Sequence, residues 1–136
     1  MKSILIIDDC SEWLERTKQL LENSSFNVLT ANTKSEGIFM AKLTCPSLIL
    51  CDFLFMSNVG FSILKELSTD DRTRFIPFIF FTGQENYEHF RKAMELGADD
   101  YLIKHREADQ LIITVKQKIK KYCTICNIKK PRKSGV

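Results

Sequence analysis

Ser3-Ile-Leu-Ile-Ile7 is a short apolar run without helical periodicity, closed by Asp8-Asp9. That is the pattern of a strand buried on both faces that runs into a polar loop. Ser47-Leu-Ile-Leu-Cys51 repeats it and ends on Asp52, and Ile76 to Phe81 and Asp100 to Ile103 are further runs of the same kind. Phe26 to Thr30 is rich in β-forming residues. Between these runs the period changes to that of a helix. From Ser11 to about Asn23, residues Trp13, Leu14, Thr17, Leu20 and Leu21 form one stripe, with Glu12, Glu15, Arg16 and Lys18 opposite. Thr33-Lys34-Ser35-Glu36 has the capping-box form and predicts a helix to about Leu43. A helix after Gly60 carries Phe61, Ile63, Leu64 and Leu67; another spans Tyr87 to Leu96 and stops at Gly97; the last runs from about Glu107 to Lys121.

Five apolar strands alternating with five helices predict a doubly wound α/β protein, a parallel sheet covered by helices on both faces. Ligands of such sheets bind beyond the carboxyl ends of the strands, near the switch in strand order. Asp8, Asp9, Asp52, Thr82 and Lys104 all fall at such ends.

Composition narrows this picture only slightly. At 136 residues and 44% hydrophobic, the chain fits one globular domain with a full core. The net charge of +3 divides unevenly: residues 112–136 hold eight Lys and Arg and no acid, leaving twelve basic and seventeen acidic residues before them. The body is thus acidic and the end basic. Cys10, Cys45, Cys51, Cys123 and Cys126 are an odd set that fits a reducing cytoplasm. No apolar run has the length of a membrane span and the first residues do not have the form of a signal peptide, so a soluble, cytoplasmic protein is expected.

Three carboxylates gathered at one sheet edge raise one another's pKa values unless a positive group offsets them. Magnesium suits the place, since it is a hard ion that takes one or two carboxylates and finishes its shell with water and phosphate oxygens. A carboxylate can itself accept a phosphoryl group, giving an acyl phosphate, and Asp52 is placed for that role. Lys104 supplies a compact charge able to pair with Asp52 and then with a phosphoryl oxygen, and the Thr82 hydroxyl can reach another.

Ile-Ile-Asp8-Asp9, Leu-Cys-Asp52, Phe-Phe-Thr82-Gly83, Gly-Ala-Asp-Asp-Tyr101 and Ile-Lys104 together resemble the motifs of the bacterial receiver domains of two-component response regulators. The spacing agrees too: Asp52 to Thr82 is 30 positions and Thr82 to Lys104 is 22. The resemblance covers roughly residues 3–121 and implies a flavodoxin-like (CheY-like) sheet of order 2-1-3-4-5. Residues 1–122 would then be the receiver domain and 123–136 a basic tail or linker. It implies a phosphoacceptor Asp52, assisted by Lys104 and Thr82, with Mg2+ on Asp8, Asp9, Asp52 and the backbone carbonyl of Leu54. Thr82 and Tyr101 would be the switch pair whose rearrangement remodels the face formed by the helix of Tyr87 to Leu96, the strand of Asp100 to Ile103 and the last helix. The partners implied are a sensor histidine kinase or histidine phosphotransfer protein upstream, and an effector protein or fused output domain downstream. A phosphorylation-dependent homodimer fits the same scheme, whereas membrane and direct nucleic-acid contacts are not expected. Such a domain is a signalling phosphoacceptor rather than an enzyme, with self-catalysed transfer and dephosphorylation.

Two departures stand out. The family usually reads Met-Pro at the third and fourth positions after the acceptor, where this chain has Phe55-Met56-Ser57-Asn58-Val59, and it usually places Pro after the lysine, where His105 stands. Neither removes a ligand or the acceptor, so altered rates are expected. Other readings are weaker. A nucleotide or flavin protein needs a Gly- or Ser/Thr-rich phosphate loop after the first strand, where Asp8-Asp9 would repel phosphate. A phosphohydrolase with an Asp nucleophile needs a second Asp two residues on, where Cys10 stands. A receiver-like interaction module that works without phosphorylation is the alternative left open. Cys123-Thr-Ile-Cys126 is a lone CxxC, and His89 and His105 are unclustered; none is assigned a role.

Overall fold

The computed structural model describes residues 2–52 and 59–129, with side chains to residue 123. The chain alternates β1 (Ser3–Asp8), α1 (Ser11–Glu22), β2 (Asn27–Ala31), α2 (Lys34–Thr44), β3 (Leu48–Asp52), α3 (Val59–Ser68), β4 (Phe78–Thr82), α4 (Tyr87–Glu95), β5 (Asp100–Ile103) and α5 (Lys104–Lys129). All neighbouring strands pair in parallel, in the order β2-β1-β3-β4-β5. The doubly wound architecture expected from the alternation is therefore the observed one.

Strand residues alternate between two cores, which is why the runs are apolar throughout. Leu5, Ile7, Ile49, Cys51, Phe78 and Phe80 pack with α2, α3 and α4 through Ile38, Ala41, Phe61, Leu64 and Ala93. Ile4, Ile6, Leu48, Leu50, Ile79 and Phe81 pack on the other face with α1 and α5 through Leu21, Leu111, Val115 and Ile119. Each of these side chains is nine-tenths or more buried.

Helix α2 starts as its sequence dictates: the Thr33 hydroxyl accepts from Glu36 N at 3.2 Å, and the Glu36 carboxylate accepts from Asn32 N at 3.0 Å. Helix α4 is capped by Asn86, whose side chain accepts from His89 N at 3.0 Å. The last helix opens where expected, after a kink at Glu107 (φ −117°, ψ 16°) that separates it from a short helical turn beginning at Lys104. The Glu107 carboxylate accepts from Ile103 N at 3.0 Å and so ties that kink to the end of β5. At the other end, α5 continues through residues 123–129, into the segment read as a tail. Among the described residues no helix is long and apolar enough to cross a membrane.

Candidate functional site

The switch in strand order lies between β1 and β3, because the chain leaves β1 for β2 on one side and returns to β3 on the other. Parallel register makes Asp8 and Asp52 direct partners across that pair. Both follow the face of Ile4, Ile6, Leu48 and Leu50, since side chains alternate along a strand. Two acids thus end side by side over the α1–α5 layer, with relative exposures of 3% and 6%.

Lys104 joins them. Its ammonium donates to Asp8 Oδ2 at 2.7 Å and to Asp52 Oδ2 at 2.6 Å, and the lysine is itself only 3% exposed. The second oxygen of Asp8 accepts from Cys10 N at 2.9 Å, whereas Asp52 Oδ1 is buried with no hydrogen-bond partner among the described residues. Burial raises the Asp8 carboxyl above its ordinary range against the opposing pull of Lys104 and the Cys10 amide. Burial also disfavours the Lys104 charge, but Asp52 and Asp8 outweigh it and hold the ammonium above its usual range. One cation facing two buried carboxylates leaves the cluster a charge short of neutrality.

Asp9 follows on the exposed side of the same loop. Among the described residues no three His, Cys, Asp or Glu side chains converge closely enough to enclose a metal. The donors fit a partly hydrated hard cation nonetheless: they are carboxylate oxygens, one of them an orphaned buried Oδ1, beside an exposed acid. Leu54 lies outside the described residues, as do Phe55 to Asn58 of the variant loop.

Thr82 and Tyr101 follow the opposite strand face, with Phe80 and Ile103. Thr82 is buried, and its Oγ1 accepts from Gln84 N at 3.2 Å. Tyr101 is 7% exposed, with its ring packed inward against Phe80 and Phe90 and its hydroxyl donating to Gln84 O at 2.9 Å. Burial, and then the nearby Asp52 charge, push its phenol up to about 12. Gln84 therefore receives both members of the expected switch pair on its backbone, a link that the sequence gives no means of seeing.

Two rim residues escaped the sequence reading as site residues. Trp13, read as part of the apolar stripe of α1, has its ring 4.9 Å from the Lys104 ammonium. His105 stacks edge-on against Trp13, with centroids 5.9 Å apart. Its Nε2 lies 3.5 Å from the place that a Cβ on Gly83 would occupy. All peptide bonds among the described residues are trans, so Lys104 reaches both acids with His105 following it in that form. Cys123 is free and half-buried, its sulfur 3.6 Å from Lys2 Nζ. A cavity of about 940 Å³ opens at the other end of the sheet, by Phe75, Ile76, Gly97 and Asp99, away from these groups.

Paired acids at the ends of β1 and β3, bridged by a lysine at the end of β5, define a receiver-type signalling domain. Residues 4–116 match the family model of the response regulator receiver domain, and the chain belongs to that family. The family is one of signalling phosphoacceptors. The chain is 29% identical over 115 residues to protein PilH of Pseudomonas aeruginosa, covering 85% of this chain and 95% of that one. It is 32% identical over 118 residues to the acid tolerance regulatory protein ActR of Rhizobium meliloti, covering 86% of this chain and 59% of ActR. Against the phosphate regulon transcriptional regulatory protein PhoB of Escherichia coli, identity is 27% and coverage is 85% of this chain and 50% of PhoB. The chain thus spans about half the length of some curated relatives and nearly all of another. Among solved structures, a response regulator receiver domain protein from Clostridium thermocellum superposes with a TM-score of 0.83 at 30% identity, covering 92% of this chain and 99% of that one. A CheY-like receiver domain protein from Methanospirillum hungatei JF-1 gives 0.82 at 27% identity, covering 91% and 98%.

Proposed function

We propose that this domain is a phosphorylation switch in which Asp52 accepts a phosphoryl group from a sensor histidine kinase or histidine phosphotransfer protein. The observation that carries this reading is the asymmetry of the Asp52 carboxylate. One oxygen is neutralised by Lys104 at 2.6 Å, while the other is buried without a partner among the described residues. In such a transfer the carboxylate oxygen forms a bond to phosphorus as the P–N bond to the donor histidine breaks, and the imidazole keeps that electron pair and takes up a proton. Lys104 balances charge on the transferred group, and the Thr82 hydroxyl is the donor for a further oxygen once it leaves Gln84 N.

Asp8, Asp9 and Asp52 would hold Mg2+, with the Leu54 carbonyl completing the protein ligands; bound there, the ion supplies charge neutralisation of the phosphoryl oxygens. Phosphorylation adds nearly two negative charges and new acceptors beside Thr82. Thr82 and Tyr101 meet on the backbone of Gln84. A pull on Thr82 is therefore felt at the start of α4, and the α4-β5-α5 face is the surface that a downstream effector or fused output domain would read. Residues 1–122 act as the switch and the basic segment from 123 as its tail or connector.

The test is intact mass after incubation with Mg2+ and acetyl phosphate, with beryllofluoride as the stable mimic. A Mg2+-dependent adduct on the wild type that is absent from Asp52→Ala is expected. A folded wild type that forms none would leave the domain as a module acting by protein contacts alone.

A further inference from the structure

The Lys104 ammonium has a third neighbour besides its two carboxylates. The Trp13 ring lies 4.9 Å from it, centroid to Nζ, in a site where the lysine is only 3% exposed. A desolvated ammonium over an indole face is attracted by the ring quadrupole more strongly than one in water. The ring is not free to drift. Phe81 meets it edge-on at 6.1 Å, His105 meets it at 5.9 Å, and the Arg16 guanidinium lies 4.5 Å from its centroid. Trp13 is thus braced from β4, from α5 and from its own helix.

We propose that Trp13 is a positioning residue for Lys104, holding the ammonium beside Asp52 by its π face. The inference rests on Asp52 being the phosphoacceptor. In the structure Asp8 and Asp52 share the lysine, yet Asp8 is also a candidate metal ligand. A cation held by Asp8 would compete with the ammonium for that carboxylate, whose Oδ2 Lys104 occupies. Trp13 is the neighbour of Lys104 that such competition leaves in place. It keeps the charge within reach of the Asp52 oxygens, where transferred phosphoryl oxygens must arrive.

The experiment compares wild type, Trp13→Phe and Trp13→Leu in Mg2+-dependent phosphorylation by acetyl phosphate, with thermal melts as the check on folding. We expect Trp13→Leu to lower the maximal rate about tenfold with little change in the half-saturating donor concentration, and Trp13→Phe to restore most of it, because a benzene face keeps much of the attraction. A folded Trp13→Leu that phosphorylates at the wild-type rate overturns the proposal, as does a Phe variant as slow as the Leu one. Trp13 is the single tryptophan of the chain, so wild-type emission supplies a second readout that does not depend on a Trp13 variant folding. Emission should change when Mg2+ and beryllofluoride shift the Lys104 ammonium from its contacts with Asp8 and Asp52 onto the bound group, and should not change in a Lys104→Met that melts cooperatively. A wild type that takes up beryllofluoride by mass with unchanged emission, or a change that persists in Lys104→Met, refutes the role of Trp13. A wild type that forms no adduct refutes the phosphoacceptor reading itself.

Discussion

Replacing Lys104 by Met should destabilise the domain by about 3 kcal/mol near pH 7.5 without divalent ions, and the size follows from the site. At an effective dielectric constant of about 20, contacts of 2.7 and 2.6 Å are each worth roughly 6 kcal/mol of gross attraction. Taking the ammonium out of water costs several kcal/mol and offsets much of this, and Met removes that cost along with the attraction. What remains is two carboxylates, 3% and 6% exposed, side by side without a counter-charge. Breaking a buried pair from one side costs about 3–5 kcal/mol, and we take the lower end because either acid can relieve the strain by binding a proton. The pH dependence follows. In the variant burial holds the Asp8 carboxyl above its unfolded value with the pull of Lys104 gone, so the folded state binds more protons. Its stability falls as pH rises through the raised folded value of Asp8, and the deficit narrows as pH is lowered. In the wild type the Lys104 contribution is complete at neutral pH, since its raised ammonium value means that it is lost only in strong alkali. Urea melts with EDTA report both effects. With a slope of about 1.5 kcal/mol per molar, a 3 kcal/mol loss moves the midpoint down by about 2 M, and Mg2+ should recover part of it by neutralising the same carboxylates. An unchanged or raised midpoint near pH 7.5, or a deficit that grows on acidification, would refute the reasoning.

Two further outcomes are expected away from this cluster. Thr33→Ala removes the α2 cap at Glu36 N and should cost about 1 kcal/mol in a denaturant melt, leaving the phosphoryl adduct unaffected; a neutral result would mean that water replaces the hydroxyl at no loss. The difference between wild-type and Tyr101→Phe alkaline absorbance titrations should place the Tyr101 phenol at about 12. Because that value lies above the ordinary 10, the stability contributed by the neutral phenol is complete below about pH 10 and is lost as pH rises to about 12. A phenol titrating at the ordinary value would mean that the ring does not stay packed inward.

The strands and their order were legible because a parallel sheet covered on both faces leaves its sequence no polar alternation: Leu48-Ile-Leu-Cys51 must satisfy two cores at once. Asp8, Asp52, Thr82 and Lys104 were legible for the complementary reason, since an acid, hydroxyl or ammonium abutting such a run stands at a strand end and is buried with it. Helix limits were less so. Glu107 does mark the start of the main helix, but the short turn from Lys104 before it, tied by the Glu107 carboxylate to Ile103 N, has no signature of its own, and the helix runs on past Lys121. The inward packing of Tyr101 and its bond to Gln84 O depend on how the β4–α4 connection folds, which no periodicity encodes. Trp13 was hidden in plain view. On a helical wheel it is one more apolar residue, and only the packing of α1 and α5 on one face of the sheet brings its ring to Lys104.

Strand β5 passes into α5 without an intervening loop residue, and Lys104 stands at that junction, with the amide of Ile103 before it held by Glu107. The anchor of the ammonium is therefore fixed on both sides, and only its side-chain torsions remain to adjust. Torsional rearrangement of a side chain belongs to fast motions, whereas loop and helix displacements run from nanoseconds to milliseconds. The charge can turn toward a newly arrived group without a displacement of the backbone that carries it. In the proposed switch, the slower response would lie on the other strand face, in the connection from Gly83 to Asn86 that joins Thr82 to α4.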